Sequence, residues 1–537
     1  MRLNTLPAAW LCAALPLGFI AAGLVWPALA LLFFTDTLVP SAAQTEPVAL
    51  LTTLFKDAFI QWRLAWTLAQ ALATVAVCAV LGVPLGWVLA RLDWWGKALV
   101  VRTLMLPFVV PTVLAGLGVL ALAQGASIAQ GAVLLLYGNV FFNLCVVVRA
   151  ASEGFLAVSA SRVAAARSLG ASPWRALWRV EWPAAQARVA AAMCLVFLYS
   201  FASFGLALML GGQRYATLEV EIYTRVAHDL DLDAARVLAL VSLFVLAVPV
   251  FAQARLSQHL AQGATLRADS IPAKRPQTTA QWAGVWTTVT LFAVLCAAPI
   301  VALCVQAIGS LASHPLAFIA LLSDPDVALA VYNTLRFSAA ALALATVLGV
   351  FYALAAQRLP VLRYGLVLPL MVSPVTIGFG YLVAYPTLAA SAGVLMAAYA
   401  LLAMPWVAQS VLSALDALPP HWAQAARSLG ASPWRVFWRV TLPVIAPALR
   451  RGMAFAAASC VGEFAVSLFL SRPEWATLST LIYQRLGRAG SGNLSEAIQL
   501  GLLLLVLCWG VFYLIDAPQD TQTHDTQTHT TPQTAHA

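Results

Sequence analysis

The chain has 537 residues, of which 62% are hydrophobic and only 9% are charged. Soluble domains carry about 25% charged residues, so this composition excludes a water-exposed globular protein and indicates a polytopic membrane protein. The formal net charge of +9 does not indicate nucleic-acid binding, because the basic residues stand between apolar runs rather than on one face. The eight cysteines lie in apolar runs without a CxxC pair, so neither a disulfide framework nor a metal site is predicted.

Twelve apolar runs are long enough to cross a hydrocarbon core, which takes about 20 residues. The first run is interpreted as a retained span, because it is too long for the apolar region of a signal peptide. The predicted spans of the first half lie near residues 8–34, 63–90, 103–123, 128–148, 189–211 and 234–254. Those of the second half lie near 281–310, 329–357, 364–386, 391–413, 452–470 and 497–515. The predicted fold class is therefore an all-α integral membrane protein.

Six spans in each half predict that both halves enter the membrane in the same direction, as parallel repeats. Residues 66–91 resemble 333–358, and 106–118 resemble 368–380, which supports a duplication. The predicted organisation is a first domain, a cytoplasmic linker, a second domain and a cytoplasmic tail, at residues 1–254, 255–280, 281–516 and 517–537. The tail is polar and of low complexity, so we expect disorder there; weak metal binding by its three histidines is the alternative.

The distribution of lysine and arginine predicts the orientation of the spans. If the N-terminus is cytoplasmic, most of the 30 lysine and arginine residues fall in cytoplasmic segments. The opposite orientation places the majority on the wrong side. Both termini are therefore expected in the cytoplasm.

The stretch AARSLGASPWR occurs at 165–175 and again at 425–435. Both copies lie between the fourth and fifth predicted spans of their half, in cytoplasmic loops at 151–186 and 414–446. In the second copy, Gly430 is expected to end an alanine-rich helix in a left-handed turn. Ser432 and Pro433 then suit the N-cap and first position of another helix, which is predicted to stop before Pro443.

On that second helix Trp434 and Trp438 are four residues apart and share a face, with arginines alongside. A short aromatic and basic helix of this kind is also able to lie on lipid headgroups. Lipid, however, tolerates changes of residue order, whereas these two copies are nearly identical. We therefore interpret both loops as docking elements for two copies of one soluble partner.

The two loops resemble the cytoplasmic signature of permease subunits of bacterial ABC importers, E-A-A-x-x-x-G followed further along by I-x-L-P. In the second copy the matching residues are Ala425, Ala426, Gly430, Leu442 and Pro443, and in the first Ala165, Ala166, Gly170 and Pro183. The leading glutamate is absent, since Gln424 and Ala164 occupy its positions. The resemblance covers nearly the whole chain, as a fused pair of permease domains.

The resemblance implies a type I importer permease fold, in the bacterial inner membrane, whose two loops are coupling helices on an ATP-binding subunit. The chain has no G-x-x-x-x-G-K-[ST] motif, so ATP and magnesium are expected on a separate subunit, present twice, and this chain is expected to have no catalytic residue and no cofactor. The coupling residues implied are Ala165, Ala166, Gly170, Ser172, Pro173, Trp174, Arg175 and Pro183, and Ala425, Ala426, Gly430, Ser432, Pro433, Trp434, Arg435 and Pro443.

Residues 200–240 resemble fused permeases of the thiamine type, and Thr217, Ile222 and Tyr223 recur 260 positions later as Thr477, Ile482 and Tyr483. This resemblance implies thiamine or its phosphates as cargo, with ferric iron or another small solute as the alternative. It also implies a periplasmic binding protein that docks on the same side. The charged candidates for that contact, otherwise solvated loop residues, are Glu219, Glu221, Arg225, His228, Asp229, Asp231, Asp233, Arg472, Glu474, Arg485 and Arg488.

Glu463 is an ionisable residue inside a predicted span, and such residues commonly face a pathway or a partner. It is a candidate to attract a cationic substrate; the alternative is a structural hydrogen bond to Ser203 or another span. The sequence argues against two other protein classes. A secondary transporter has no need for duplicated docking loops, and a membrane enzyme is expected to show clustered catalytic groups, whereas His259 and His421 are isolated.

Overall fold

A computed structural model describes residues 6–33, 55–125, 130–262, 271–313, 315–366, 368–389, 391–470, 472–488 and 493–516. These ranges consist mainly of helices joined by turns, bends and irregular segments, and an isolated bridge pairs Leu92 with Lys274. The first half contains α1 (Cys12–Phe33), α2 (Ala58–Arg91), α3 (Thr112–Gly125), α4 (Ala132–Leu156), α5 (Ala160–Ser168), α6 (Pro173–Phe201), α7 (Gly205–Leu210), α8 (Leu218–Ala227) and α9 (Leu232–Gln262).

The second half repeats this order. It contains α10 (Thr279–Ser313), α11 (Pro325–Arg358), α12 (Pro374–Ala384), α13 (Ala392–Ala417), α14 (Pro420–Ser428), α15 (Pro433–Val461), α16 (Ala465–Leu470), α17 (Leu478–Leu486) and α18 (Asn493–Asp516). Within the described ranges, ten helices are long and apolar enough to cross a membrane, and α3 and α12 are shorter apolar helices. Together they account for the twelve predicted spans and confirm the all-α membrane fold.

The third span of each half is shorter than predicted, because prolines interrupt it. In the region of the predicted span 103–123, the short helices Lys97–Thr103 and Leu106–Val109 precede α3. In the region of 364–386, the short helices Leu362–Gly365 and Leu368–Met371 precede α12. Pro111 and Pro374 stand at these interruptions. A proline lacks the backbone N–H of a helix interior and disfavours the helical conformation of the residue before it.

The fifth span of each half begins earlier than predicted, and the prediction that a short helix stops before Pro443 is wrong. A π-helical turn, Phe437–Thr441, joins the loop helix to the span, so α15 is one helical run of 29 residues. The N–H of Leu442 donates to the carbonyl of Phe437, five residues back. The same turn at Leu177–Glu181 precedes Pro183 in α6. The wider turn accommodates the proline ring that an α-helical turn excludes.

The first span of each half packs against the other half. α1 lies against α11 and α12 of the second half, and α10 lies against α3 of the first half as well as α18 of its own half. Gly118 on α3 faces the carbonyl of Pro299, and Gly380 on α12 faces Pro27, so glycines allow close approach at both contacts. Neither half is therefore a self-contained bundle.

The predicted domain limits can be compared with the described helices at the linker and at the tail. α9 runs to Gln262, eight residues into the segment predicted as a linker, while residues 263–270 of that linker lie outside the described residues. The predicted tail, 517–537, lies outside them as well. The domain boundaries stay predictions.

We expect Gly118→Val to destabilise the contact between the halves. A Cβ atom at this glycine would lie 2.6 Å from the Pro299 carbonyl oxygen, and overpacking of this kind costs about 1–3 kcal/mol. Thermal unfolding of the purified protein in detergent measures the effect. Gly510→Val is the matched control, because a Cβ at that glycine of α18 meets nothing within 4 Å. Equal unfolding temperatures for the two variants would contradict the interpretation.

Candidate functional site

Each of the two repeated loops contains a glycine with a left-handed backbone. Gly170 follows α5 with a φ of +83°, and Gly430 follows α14 with a φ of +80°. The N–H of Ala171 donates to the carbonyl of Ala166 at 3.0 Å, and Ala431 does the same to Ala426 at 3.1 Å, which closes a Schellman turn. A Cβ atom at either glycine would meet open space, so the backbone conformation, rather than packing within the chain, requires glycine.

The caps predicted for the second loop helix are present in both copies. The Ser172 hydroxyl accepts a hydrogen bond from the N–H of Arg175 at 3.3 Å, and the Ser432 hydroxyl accepts one from Arg435 at 3.4 Å. Pro173 and Pro433 occupy the first helical position, where no N–H is needed. The local conformation predicted from the sequence is therefore confirmed.

The two tryptophans of each loop lie together on the surface. The ring centroids of Trp174 and Trp178 are 5.6 Å apart, and those of Trp434 and Trp438 are 5.5 Å apart. Trp434 is 70% exposed, and Leu429 beside it is 90% exposed. Exposed apolar residues of this size, rimmed by arginines, form a surface suited to contact with another molecule.

A buried ion pair ties the first loop to α2. Arg91 donates through Nε and Nη2 to one carboxylate oxygen of Glu181, at 3.1 and 2.8 Å, and through Nη2 to the carbonyl of Phe155. At the equivalent positions the second half has an exposed Arg358 and Thr441. The two loops are thus alike in their surface but differ in how they are anchored.

A cavity of about 280 Å³ lies between the halves. Its wall includes the two helix breaks, residues 202–204 after α6 and 462–464 after α15, and these contribute Ser203 and Glu463, 260 positions apart. The Glu463 carboxylate accepts a hydrogen bond from the N–H of Val466 at 3.1 Å and caps α16. No hydrogen bond joins the two described side chains, so their shared feature is the cavity.

Two stacked phenylalanines line the cavity at the helix ends remote from the loops. The rings of Phe204 and Phe464 lie 5.8 Å apart and nearly parallel, and both are buried. Tyr223 packs on Phe204 and Tyr483 on Phe464, each at 5.4 Å. These residues also recur at an interval of 260. The recurrence of the tyrosines is visible in the sequence, but the stack itself is not.

A buried polar network in the first half was not predicted from the sequence. Gln70 donates to the carbonyl of Ser200 at 2.7 Å and accepts from Asn139 at 2.8 Å. Asn143 donates to the carbonyl of Asn139 and to the Ser200 hydroxyl. Asn139 and Asn143 line the cavity. The sequence feature that could have indicated this network is the pair of asparagines four residues apart in an apolar run.

Two of the charged residues predicted to meet a binding protein are buried instead. Glu219 accepts hydrogen bonds from Ser242 at 2.6 Å and from Ser373 of the other half at 2.5 Å. Glu221 pairs with Arg63 and Arg225. Residues 218–222 of α8 are all buried, so this part of the helix is enclosed on every side and both carboxylates find partners inside the protein.

The remaining charged residues predicted to meet a binding protein lie at the surface or in ion pairs near it. Arg485 pairs with Asp324 and with Glu496. A hydrogen bond from the Asp326 N–H, together with the Arg485 guanidinium, lowers the pKa of Asp324. The exposed or half-exposed members of the predicted set are Arg225, His228, Asp229, Asp231, Asp233, Arg472, Glu474, Arg485 and Arg488.

Two like helical halves around a cavity, with duplicated surface loops, define a polytopic membrane transport subunit. The family described as "Binding-protein-dependent transport system inner membrane component" matches residues 82–259 and again 345–517, and the chain belongs to this family. It is therefore a multi-pass inner-membrane permease of the ABC importer class, with the type I permease fold. Family members of this class work with an ATPase and a substrate-binding protein.

Curated relatives are similar over most of the chain. The thiamine transport system permease protein of Salmonella typhimurium is 26% identical over 495 residues, which are 87% of this chain and 90% of that protein. The Escherichia coli protein of the same name is 24% identical over 494 residues, 86% of this chain and 90% of that protein. The molybdate/tungstate transport system permease protein of Thermococcus kodakarensis is 30% identical over 190 residues, 35% of this chain and 72% of that protein.

We expect Glu181→Ala to destabilise the protein by about 3 kcal/mol, because it leaves the buried Arg91 guanidinium without its counter-charge. The double variant Arg91→Met, Glu181→Leu is expected to recover most of the loss, since it removes both charges. Thermal unfolding of wild type, Arg91→Met, Glu181→Leu and the double variant measures this coupling. Additive losses in the double variant would show that the pair does not act as a unit.

Proposed function

We propose that this chain is the permease of an ATP-driven importer that carries thiamine or its phosphates. The supporting observation is end-to-end similarity to thiamine permeases over about 87% of the chain. The molybdate/tungstate relative matches only 35% of the chain, and its cargo is anionic. A cavity that presents the carboxylate of Glu463 suits a cationic cargo rather than an anion.

The duplicated loops are the proposed contacts with the ATP-binding subunits. Each loop offers a tryptophan pair and adjacent arginines on a rigid capped helix, and near-identical surfaces suit two copies of the same partner. ATP and magnesium bind to that partner, and this chain contributes docking residues only. Both loops lack the family's leading glutamate, since Gln424 and Ala164 occupy its positions. They retain the turn and the caps that orient the tryptophans.

The long helices α6 and α15 provide a direct route from the loops to the cavity. Each is one helical run of 29 residues that begins in a loop and ends beside Ser203 or Glu463. When ATP binding draws the partner subunits together, the loops approach each other and the helix ends at the cavity move with them. The stacked Phe204 and Phe464 then separate and open the cavity toward a binding protein at the exposed charged residues of that end.

Gly430→Asp and Gly170→Asp are expected to abolish co-purification of the ATP-binding subunit while the permease stays folded. An aspartate raises the cost of the left-handed turn by about 1–2 kcal/mol and adds a negative charge to the docking surface. Quantitative pull-down from membranes measures the loss. Gly212→Asp is the matched control, because Gly212 also has a positive φ, +62°, but lies beyond α7 at the opposite end. Wild-type recovery of the ATPase with both loop variants would refute the coupling role.

Cells without this gene are expected to lose uptake of labelled thiamine and to keep uptake of ferric iron. Complementation with the wild-type gene restores thiamine uptake only while ATP is available. Uptake that persists after ATP depletion, with the proton gradient maintained, would identify a secondary transporter. Loss of iron uptake alone would assign the other cargo and leave the importer architecture unchanged.

A further inference from the structure

The two walls of the cavity differ although the halves are repeats. Asn139 and Asn143 of the first half line the cavity. The positions 260 residues later hold Tyr399 and Ala403, and neither is among the described residues of its lining. The first half therefore supplies two side-chain amides to the cavity that the second half does not. The reverse holds at one position, where Ser203 of the first half corresponds to Glu463 of the second.

Asn143 has an unused acceptor in this wall. Its amide nitrogen donates to Asn139 and Ser200, while its Oδ1 atom is buried without a hydrogen-bond partner among the described residues. Asn143 itself is 1% exposed. A buried unpaired acceptor costs about 1–3 kcal/mol, so a hydrogen-bond donor bound in the cavity would stabilise it.

The second half presents a carboxylate and two aromatic rings to the same space. One oxygen of Glu463 is held by the Val466 N–H, which fixes the side chain. Trp406 and Phe455 line the cavity with their rings stacked, 6.1 Å apart and inclined by 25°. Negative charge beside aromatic faces favours a flat cation.

We propose that this cavity is a transient binding site for a small aromatic cation that also carries a hydrogen-bond donor. Glu463 attracts the positive charge, Trp406 and Phe455 pack on a ring, and Asn143 Oδ1 accepts from an amino group. The inference rests on the proposed function, since it assumes that the cargo passes through this cavity, and it specifies which part of thiamine is recognised: its cationic and amino-bearing rings.

The lining predicts that a phosphate group on the cargo adds nothing to its recognition in this cavity. The described residues around the cavity include no arginine, lysine or histidine. A phosphate would face Glu463 without a counter-charge. Thiamine monophosphate is therefore expected to bind no more tightly than thiamine.

Equilibrium binding of labelled thiamine to the purified full-length permease in lipid nanodiscs tests the site. Glu463→Gln keeps the capping oxygen but removes the charge, and Asn143→Leu removes the acceptor at similar size. Each is expected to weaken thiamine binding at least about tenfold, the loss expected for a hydrogen bond or ion contact in a buried site. Glu496→Gln, the same substitution in a surface ion pair, is expected to leave binding unchanged.

Oxythiamine lacks the amino donor of thiamine. Comparing its binding with that of thiamine therefore tests recognition of the amino group even if a variant is partly misfolded. Wild type is expected to bind it more weakly than thiamine, and Asn143→Leu is expected to bind both equally. Any one of three results would refute the proposed binding site. These are equal binding of the two compounds by wild type, unchanged thiamine binding by Glu463→Gln, and much tighter binding of thiamine monophosphate. If cells show ATP-dependent thiamine uptake while any of these results holds, the site alone is wrong; absence of thiamine uptake in cells refutes the proposed function itself.

Discussion

The constraint on which the rest of the structure depends is that a backbone N–H or carbonyl within a lipid bilayer must be satisfied inside the protein. Interrupted helices are therefore tolerable only where protein or a cavity surrounds them. The breaks at 202–204 and 462–464 meet this condition, because both lie between the halves and line the cavity. The first spans, α1 and α10, each pack against helices of the opposite half and so help to hold the two halves together.

The same constraint explains how a surface loop is connected to the cavity. Pro183 and Pro443 would disrupt a regular helix, but a π turn before each proline keeps the run continuous. The first rigid element after the loop is thus the helix that ends at the cavity. A buried pair of Arg91 and Glu181 adds a second link in the first half, whereas a partly exposed pair of Arg363 and Asp416 lies at the start of the second loop, so the two loops are anchored differently.

Much of this architecture follows from local sequence. The spans follow from uninterrupted apolar runs, and the loop conformation follows from Gly430, Ser432 and Pro433, whose preferences depend on neighbouring residues alone. The continuity through Pro443 was not predictable in this way, because a π turn has no distinct residue pattern. The prolines of the third spans are visible in the sequence, but their effect on span length depends on what encloses the break.

The site was less predictable, because its contacts join residues far apart in the chain. Glu463 was recognisable as an intramembrane carboxylate, yet nothing local indicates that its oxygen caps α16 or that Asn143 lies in the same cavity. Glu219 and Glu221 were expected at the surface because they are charged and follow a polar turn. Their partners, Ser373, Ser242 and Arg63, come from distant segments, and only tertiary packing turns these carboxylates inward.

The repeated loops and the cavity between the halves have opposite symmetry requirements. A partner that binds twice, as proposed for the ATP-binding subunit, favours two identical surfaces, and the loops retain the same residues at 165–175 and 425–435. A single cargo molecule on the axis between the halves is not itself twofold symmetric, so equal walls cannot match both of its sides. The aromatic stack of Phe204 and Phe464, which only needs to close, keeps the symmetry. The cavity wall around this stack is asymmetric, with Asn143 on one side and Glu463 on the other. A symmetric stack is expected where the two halves only need to meet, and an asymmetric wall is expected where a cargo molecule is recognised.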